Sequence, residues 1–225
     1  MTHWVLFGGR FDPVHRGHLA VIDWWHRRHR TLRRVVVIPV GRPPHRPVET
    51  TTPFHHRYAM LALALRDRPW TVIWDDELYR PGASYTIDTL HRFADRTGAR
   101  PDEIIFVMGA DAFLSLHTWH RFPEHLNHCT FAVFHRPPHS FNAIRTYHHR
   151  YLPDVPLVNG HPDPWPKPPA VVWLPDLTVD IASTRIRDAC RSGRPFHIWV
   201  PPSVAAYIQR YRLYTSFHSP GGSAA

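Results

Sequence analysis

A chain of 225 residues, 43% hydrophobic and 13% aromatic, is long and apolar enough to bury a substantial core, which excludes a disordered polymer. It holds no run of about 18 apolar residues that would span a membrane, "THWVLF" after Met1 does not resemble a secretory signal, and two cysteines, Cys129 and Cys190, fit a reducing, cytoplasmic setting. The net charge of +9 is scattered arginine, with Lys167 the only lysine, and carries no zinc-finger, RNP-strand or basic-heptad signature, so no nucleic-acid partner is expected.

Strand and helix alternate from the start. "HWVLF" (3–7) and "RRVVVIPV" (33–40) are predicted as buried strands, and between them Leu19, Ile22 and Trp25 recur at helical steps. The proline-rich "GRPPHRPVETT" is a loop, followed by a helix in which Tyr58, Leu61, Ala62 and Leu65 are spaced to face the core. "WTVIW" (70–74) is a third strand, and "SYTIDTLHRFADRTG" a helix stopped at Gly98. "EIIFVMG" (103–109), running into "ADAFLSLHTW", and "CTFAVF" (129–134) are the fourth and fifth strands. Residues 136–169, rich in proline and histidine, are expected to form an irregular surface excursion around one short helix at "FNAIRTYHHRY". "AVVWL" (170–174) is a sixth strand, and "STRIRDACRSG" and "SVAAYIQRYRLY" are closing helices.

The alternation predicts an α/β fold: a doubly wound, Rossmann-like parallel sheet with helices on both faces. Residues 1–213 are expected to form a single domain, with 136–169 as its excursion and 214–225 as a flexible tail. Ligands in such sheets bind beyond the carboxyl ends of the strands, so the chemistry is expected in loops 8–18, 41–53, 75–86, 109–120 and 175–184.

The first of these loops, "GGRFDPVHRGHL", joins a strand to a helix. Gly8 and Gly9 permit close approach of a ligand to the main chain. His15 and His18 lie three residues apart near the helix N-terminus, a natural seat for phosphate. The stretch is neither a P-loop nor a dinucleotide fingerprint. A zinc pair is a weaker reading, because the usual helical zinc ligands stand four apart beside a glutamate. In "IASTRIR" (181–187), Ser183 is suited to cap a second helix, while Thr184 and Arg187 offer a hydroxyl and a guanidinium to phosphate.

These two stretches resemble the paired signatures of the HxGH nucleotidyltransferase superfamily. "PVGRPPHR" (39–46), "SYTIDTL" (84–90) and "VMGADAFLSLHTWHRF" (107–122) make the resemblance specific to bacterial nicotinate-mononucleotide adenylyltransferases, in order from about residue 4 to 213. The resemblance implies an enzyme of NAD biosynthesis that moves AMP from ATP to nicotinate mononucleotide, with pyrophosphate as the second product. It implies catalytic roles for His15, His18 and Arg187, and ATP contacts from these together with Gly8, Gly9, Phe11, Gly109, Asp111, Ser183 and Thr184. It also implies that His45, Arg46, Tyr85, Thr86 and Trp119 meet the mononucleotide, and that Mg²⁺ arrives on the ATP phosphates with no metal ligands from the protein. On physical grounds, Trp119 offers a face to a pyridinium ring and Asp111 a carboxylate to ribose hydroxyls.

Two positions depart from the family pattern. Arg10 stands where a serine or threonine is usual and either reaches a phosphate or pairs with Asp12 or another acid, and Ala182 replaces a serine. Acceptors that share the mechanism are the amidated mononucleotide, phosphopantetheine and, with CTP as donor, a cytidylyl acceptor. A basic nucleic-acid-binding protein is the alternative from another class, marked by salt-dependent binding without ATP turnover.

Overall fold

A computed structural model of the chain describes residues 2–43 and 51–215. Strand β1 (His3–Gly9) leads through the glycine turn into α1 (Arg16–Arg28), and β2 (Leu32–Pro39) precedes α2 (Phe54–Leu65). Then come β3 (Thr71–Ile73), α3 (Thr86–Thr97), β4 (Ile104–Gly109), the short α4 (Ala110–Phe113) and β5 (Thr130–His135). The chain closes with α5 (Phe141–Tyr151), β6 (Leu157–Asn159), β7 (Val171–Thr178), α6 (Ser183–Arg191) and α7 (Pro202–Arg210).

The seven strands form one parallel sheet in the order β3-β2-β1-β4-β5-β7-β6. The chain winds from β1 outward to β3, then returns to the centre and winds the other way from β4. The strand order therefore reverses between β1 and β4, and loops on either side diverge there to leave a crevice.

Strand alternation divides the core in two. Val5, Phe7, Val35, Val37, Ile105, Val107 and Phe134 face α1, α2, α6 and α7, whereas Leu6, Val36, Ile38, Phe106, Met108, Phe131 and Val133 face α3 and α5. Helices thus cover both faces, as the strand–helix alternation predicts. In α1 the expected Leu19, Ile22 and Trp25 are all buried, and α3 ends as expected at Gly98, which takes φ 68° and donates its amide to the Ala94 carbonyl.

Three local expectations change. Helix α2 buries Arg57, Met60, Leu61, Ala64 and Leu65, not the Tyr58/Ala62 edge, which faces solvent. Both stripes obey helical spacing, and the true one contains a buried cation that hydrophobic periodicity does not count. Within 136–169 a three-residue strand, β6, accompanies the expected helix and forms the sheet edge beside β7. Tyr214, assigned to the tail, is docked instead: its hydroxyl donates to Asp12 Oδ1 at 2.8 Å. The remainder of that tail, from residue 216, lies outside the described residues.

Candidate active site

The carboxyl ends of the central strands open into a cavity of about 430 Å³. Its floor is the opening turn. Gly8 and Gly9 line it and also pack against aromatic rings: a Cβ would stand 3.2 Å from the Phe106 ring at Gly8 and 3.2 Å from the Phe11 ring at Gly9. Phe11, also lining, is held at φ 50°, a conformation L residues seldom adopt. Its buried ring lies edge-on to Phe7 and to His18, with centroids 5.5 and 4.8 Å away.

His15 is the N-cap of α1, and the two histidines form a reciprocal capping box. His15 Nδ1 accepts the His18 amide at 3.3 Å, and His18 Nδ1 accepts the His15 amide at 3.2 Å. The rings stack with centroids 3.6 Å apart and 19° between planes. Because each Nδ1 accepts a backbone N–H, the proton of each neutral ring sits on Nε2. Burial, then the Arg136 charge, pushes His15 down to about 3. Burial, His15 and Arg136 hold His18 well below the usual histidine range. Both rings are therefore neutral Nε2–H donors at neutral pH, lining one cavity at a helix N-terminus, and an incoming polyphosphate would stabilise their protonated forms.

The second motif closes on the first across the sheet. Ser183 Oγ donates to the Pro13 carbonyl at 3.0 Å. Arg187 donates to the Asp12 carbonyl at 2.7 Å and to Thr184 Oγ1 at 3.2 Å. Ala182, not Ser183, is the N-cap of α6, and its methyl side chain makes no cap bond; the Ser183 hydroxyl is committed to the opening turn instead. Ala182, Ser183 and Thr184 line the cavity. Arg187 is buried and is not among the lining residues; it braces the loop that carries the histidines.

On the far wall, Gly109 caps α4, and Asp111 and Trp119 line the cavity. A Cβ at Gly109 would meet Asp111 Oδ1 at 2.6 Å, so the glycine makes room for this carboxylate. Asp111 Oδ2 pairs with Arg136 at 3.2 Å. Arg136, the first residue of the proline-rich excursion in the sequence, also lines the cavity and faces the histidines electrostatically. The sequence signal for this was its position directly after β5, where ligands of such sheets gather. Trp119 packs edge-on to Phe106 and His125 and keeps a partly open ring.

Thr86 lines the cavity at the start of α3, whose N-cap Tyr85 makes no side-chain cap bond. Tyr85 stacks on His120 at 4.2 Å and is not among the lining residues. His45 and Arg46 lie outside the described residues. A clasp that the sequence did not disclose holds this wall to the loop after β2. Glu77 Oε2 accepts the Gly41 amide at 2.9 Å, Thr89 donates to its Oε1 at 2.6 Å, and Ser84 Oγ accepts the Arg42 amide at 3.1 Å.

Arg10 lines the cavity, and its carbonyl accepts from Arg57 at 2.9 Å. Arg57, 1% exposed, also donates to the carbonyls of Thr52 at 2.9 Å and Gly41 at 3.5 Å. One guanidinium therefore ties together the loops after β1 and β2 and the approach to α2.

Among the described residues no helix is long and apolar enough to cross a membrane. The family model of cytidylyltransferase-like proteins matches residues 6–189. A probable nicotinate-nucleotide adenylyltransferase of Symbiobacterium thermophilum is 35% identical over 224 residues, covering 98% of this chain and 99% of that protein. One from Pelobacter propionicus is 34% identical, covering 93% and 97%. Among solved structures, the Plasmodium falciparum nicotinic acid mononucleotide adenylyltransferase complexed with NaAD matches with a TM-score of 0.70 at 16% identity, covering 95% of this chain and 98% of that one. That last likeness is one of fold; the curated relatives carry the closer relationship. The chain belongs to the cytidylyltransferase-like family and, within it, to the nicotinate-nucleotide adenylyltransferases.

Proposed function

We propose that the cavity transfers AMP from MgATP to the phosphate of nicotinate mononucleotide, releasing pyrophosphate and nicotinate adenine dinucleotide. A phosphate oxygen of the mononucleotide forms a bond to the α-phosphorus of ATP, and the bond from that phosphorus to the β-phosphate bridging oxygen breaks in line. The attacking phosphate is already anionic, so no general base is needed, and catalysis rests on positioning and charge stabilisation.

The observation that carries this reading is the His15–His18 clamp, which offers two neutral Nε2–H donors to one cavity. These donors suit the triphosphate as charge moves onto pyrophosphate, and Arg136 adds a nearby positive charge. Arg187 acts as a positioning residue through Asp12 and Thr184. Gly109 and Asp111 take the adenosine side. Thr86 and Trp119 take the nicotinate side, where uncapped first-turn amides of α3 favour a carboxylate over an amide. His45 and Arg46 receive the mononucleotide phosphate, supported by their loop motif. Mg²⁺ enters as part of the substrate, carried by phosphate oxygens. Residues 1–213, with Tyr214 docked on Asp12, work as one domain in the cytoplasm.

A pyrophosphate-release assay with ATP and either mononucleotide tests the reading. Turnover is expected with nicotinate mononucleotide and at least about tenfold less efficiently with the amide, the scale of about 1.4 kcal/mol of discrimination. No release with either acceptor would overturn the activity, and equal efficiency would overturn the acid preference.

A further inference from the structure

We propose that His91, Glu124 and His128 form a zinc site that joins α3 to the 3₁₀ turn Glu124–Asn127. His91 lies on α3, Glu124 opens the turn, and His128 follows it. The two Nε2 atoms stand 3.1 Å apart. Glu124 Oε1 lies 3.6 Å from His91 Nε2 and 3.9 Å from His128 Nε2. A tetrahedral Zn²⁺ with bonds of about 2.0–2.1 Å sets its ligand atoms about 3.3 Å apart, so the three donors need to move only a few tenths of an ångström.

The chemistry of the donors agrees with the spacing. Two imidazole nitrogens and one carboxylate form an N₂O set, which suits zinc better than the all-oxygen cations magnesium and calcium. The imidazole planes meet at 77° with their Nε2 atoms adjacent. Two Nε2 atoms this close need a proton or a cation between them. With a cation, both lone pairs are used. Each side chain is about one-third exposed, which leaves the fourth position to water. Arg121 donates to Glu124 Oε1 at 2.6 Å. A carboxylate has a second oxygen and further lone pairs, so this guanidinium can orient Glu124 while the carboxylate also binds metal.

The placement gives the site a consequence. Helix α3 carries Thr86 at its first turn, and the 3₁₀ turn follows Trp119 by a few residues, so both bonded elements lead to the cavity wall. A cation here cross-links two segments that are joined in sequence only through β4 and its following loop.

The test uses the full-length, tag-free, metal-stripped protein, titrated with Zn²⁺ against a chromophoric chelator and separately with Co²⁺. One saturating equivalent per chain, a visible absorption band of tetrahedral Co²⁺ and a raised Tm with Zn²⁺ are expected. All three should be lost in His91→Gln and in His128→Gln, whose metal-free melts should match that of the unaltered protein. These glutamines sit at half-buried positions and preserve polar character. Absence of a saturating equivalent in the unaltered chain overturns the site without reference to any variant. Persistence of the equivalent in both variants overturns it by assigning the metal to other histidines.

Discussion

His15 and His18 cap each other, each ring accepting the other residue's amide through Nδ1 at 3.3 and 3.2 Å. Nδ1 thereby belongs to the fold, and Nε2 to whatever occupies the cavity. His18→Ala is expected to lower turnover by about 10²–10³, the scale for removing one preorganised donor to developing charge. Loss of the capping contact costs only about 1 kcal/mol of stability. Steady-state kinetics beside a thermal melt separates the two effects. Near-normal turnover in a folded variant would remove the ring from the reaction.

Gly17 lies between the two histidines, and its hydrogen has a task. A Cβ there would stand 2.6 Å from Val179 Cγ1 and 3.1 Å from Cε1 and Nδ1 of the His15 ring. In an ordinary helix, glycine to alanine gains about 1 kcal/mol. Here Val179 is buried in the core, so the strain is expected to displace the His15 ring and reverse that sign. Gly17→Ala should therefore lower both Tm and kcat. A variant that melts higher and turns over normally would contradict the packing argument.

Arg57 predicts a larger stability loss. Arg57→Met strands three carbonyls that now accept from one buried guanidinium and removes the positive charge near Asp12. Urea unfolding should show destabilisation of several kcal/mol, because each buried carbonyl left without its donor costs about 1–3 kcal/mol. Arg57→Lys restores the charge but not the planar fork, so it should recover only part of that loss. Destabilisation below about 1 kcal/mol in the methionine variant would mean that the three loops hold without it.

The parts legible in sequence are those where local pattern and tertiary role coincide. The β1, β2, β4 and β5 strands are apolar runs because both sheet faces are covered. The histidines and Ser183-Thr184 stood out because they follow strands at sites where backbone donors gather. Less was legible where the partner is remote. Glu77 reaches Gly41 across 36 residues, and Tyr214 reaches Asp12 across 202, and neither pair has a local signature. Strand β6 is only three residues long, too short to show periodicity. The sequence resemblance implies a catalytic, ATP-contacting Arg187, and only coordinates show its guanidinium on the Asp12 carbonyl and away from the cavity lining.

Acid sensitivity follows from histidines that the fold keeps neutral. His15 and His29 are 2% and 4% exposed. Burial, with Arg136 beside His15 and with His3 and His161 beside His29, pushes each down to about 3. Between that value and the ordinary histidine value of about 6.5, the unfolded chain binds protons that the native chain refuses. Stability contributed by these groups is thus complete above about pH 6.5 and is lost as pH falls toward 3. Each group removes up to about 1.4 kcal/mol per pH unit in this window. Against a total stability near the lower end of the usual range of about 5–15 kcal/mol, that loss is large enough to bring cooperative unfolding within this window. His29→Phe, placed among Trp25 and Trp165, keeps an aromatic ring without the titration and should move the acid midpoint downward. Circular dichroism against pH at low ionic strength reads both midpoints. An unchanged midpoint in His29→Phe, with stability at pH 7 preserved, would assign acid unfolding to other groups.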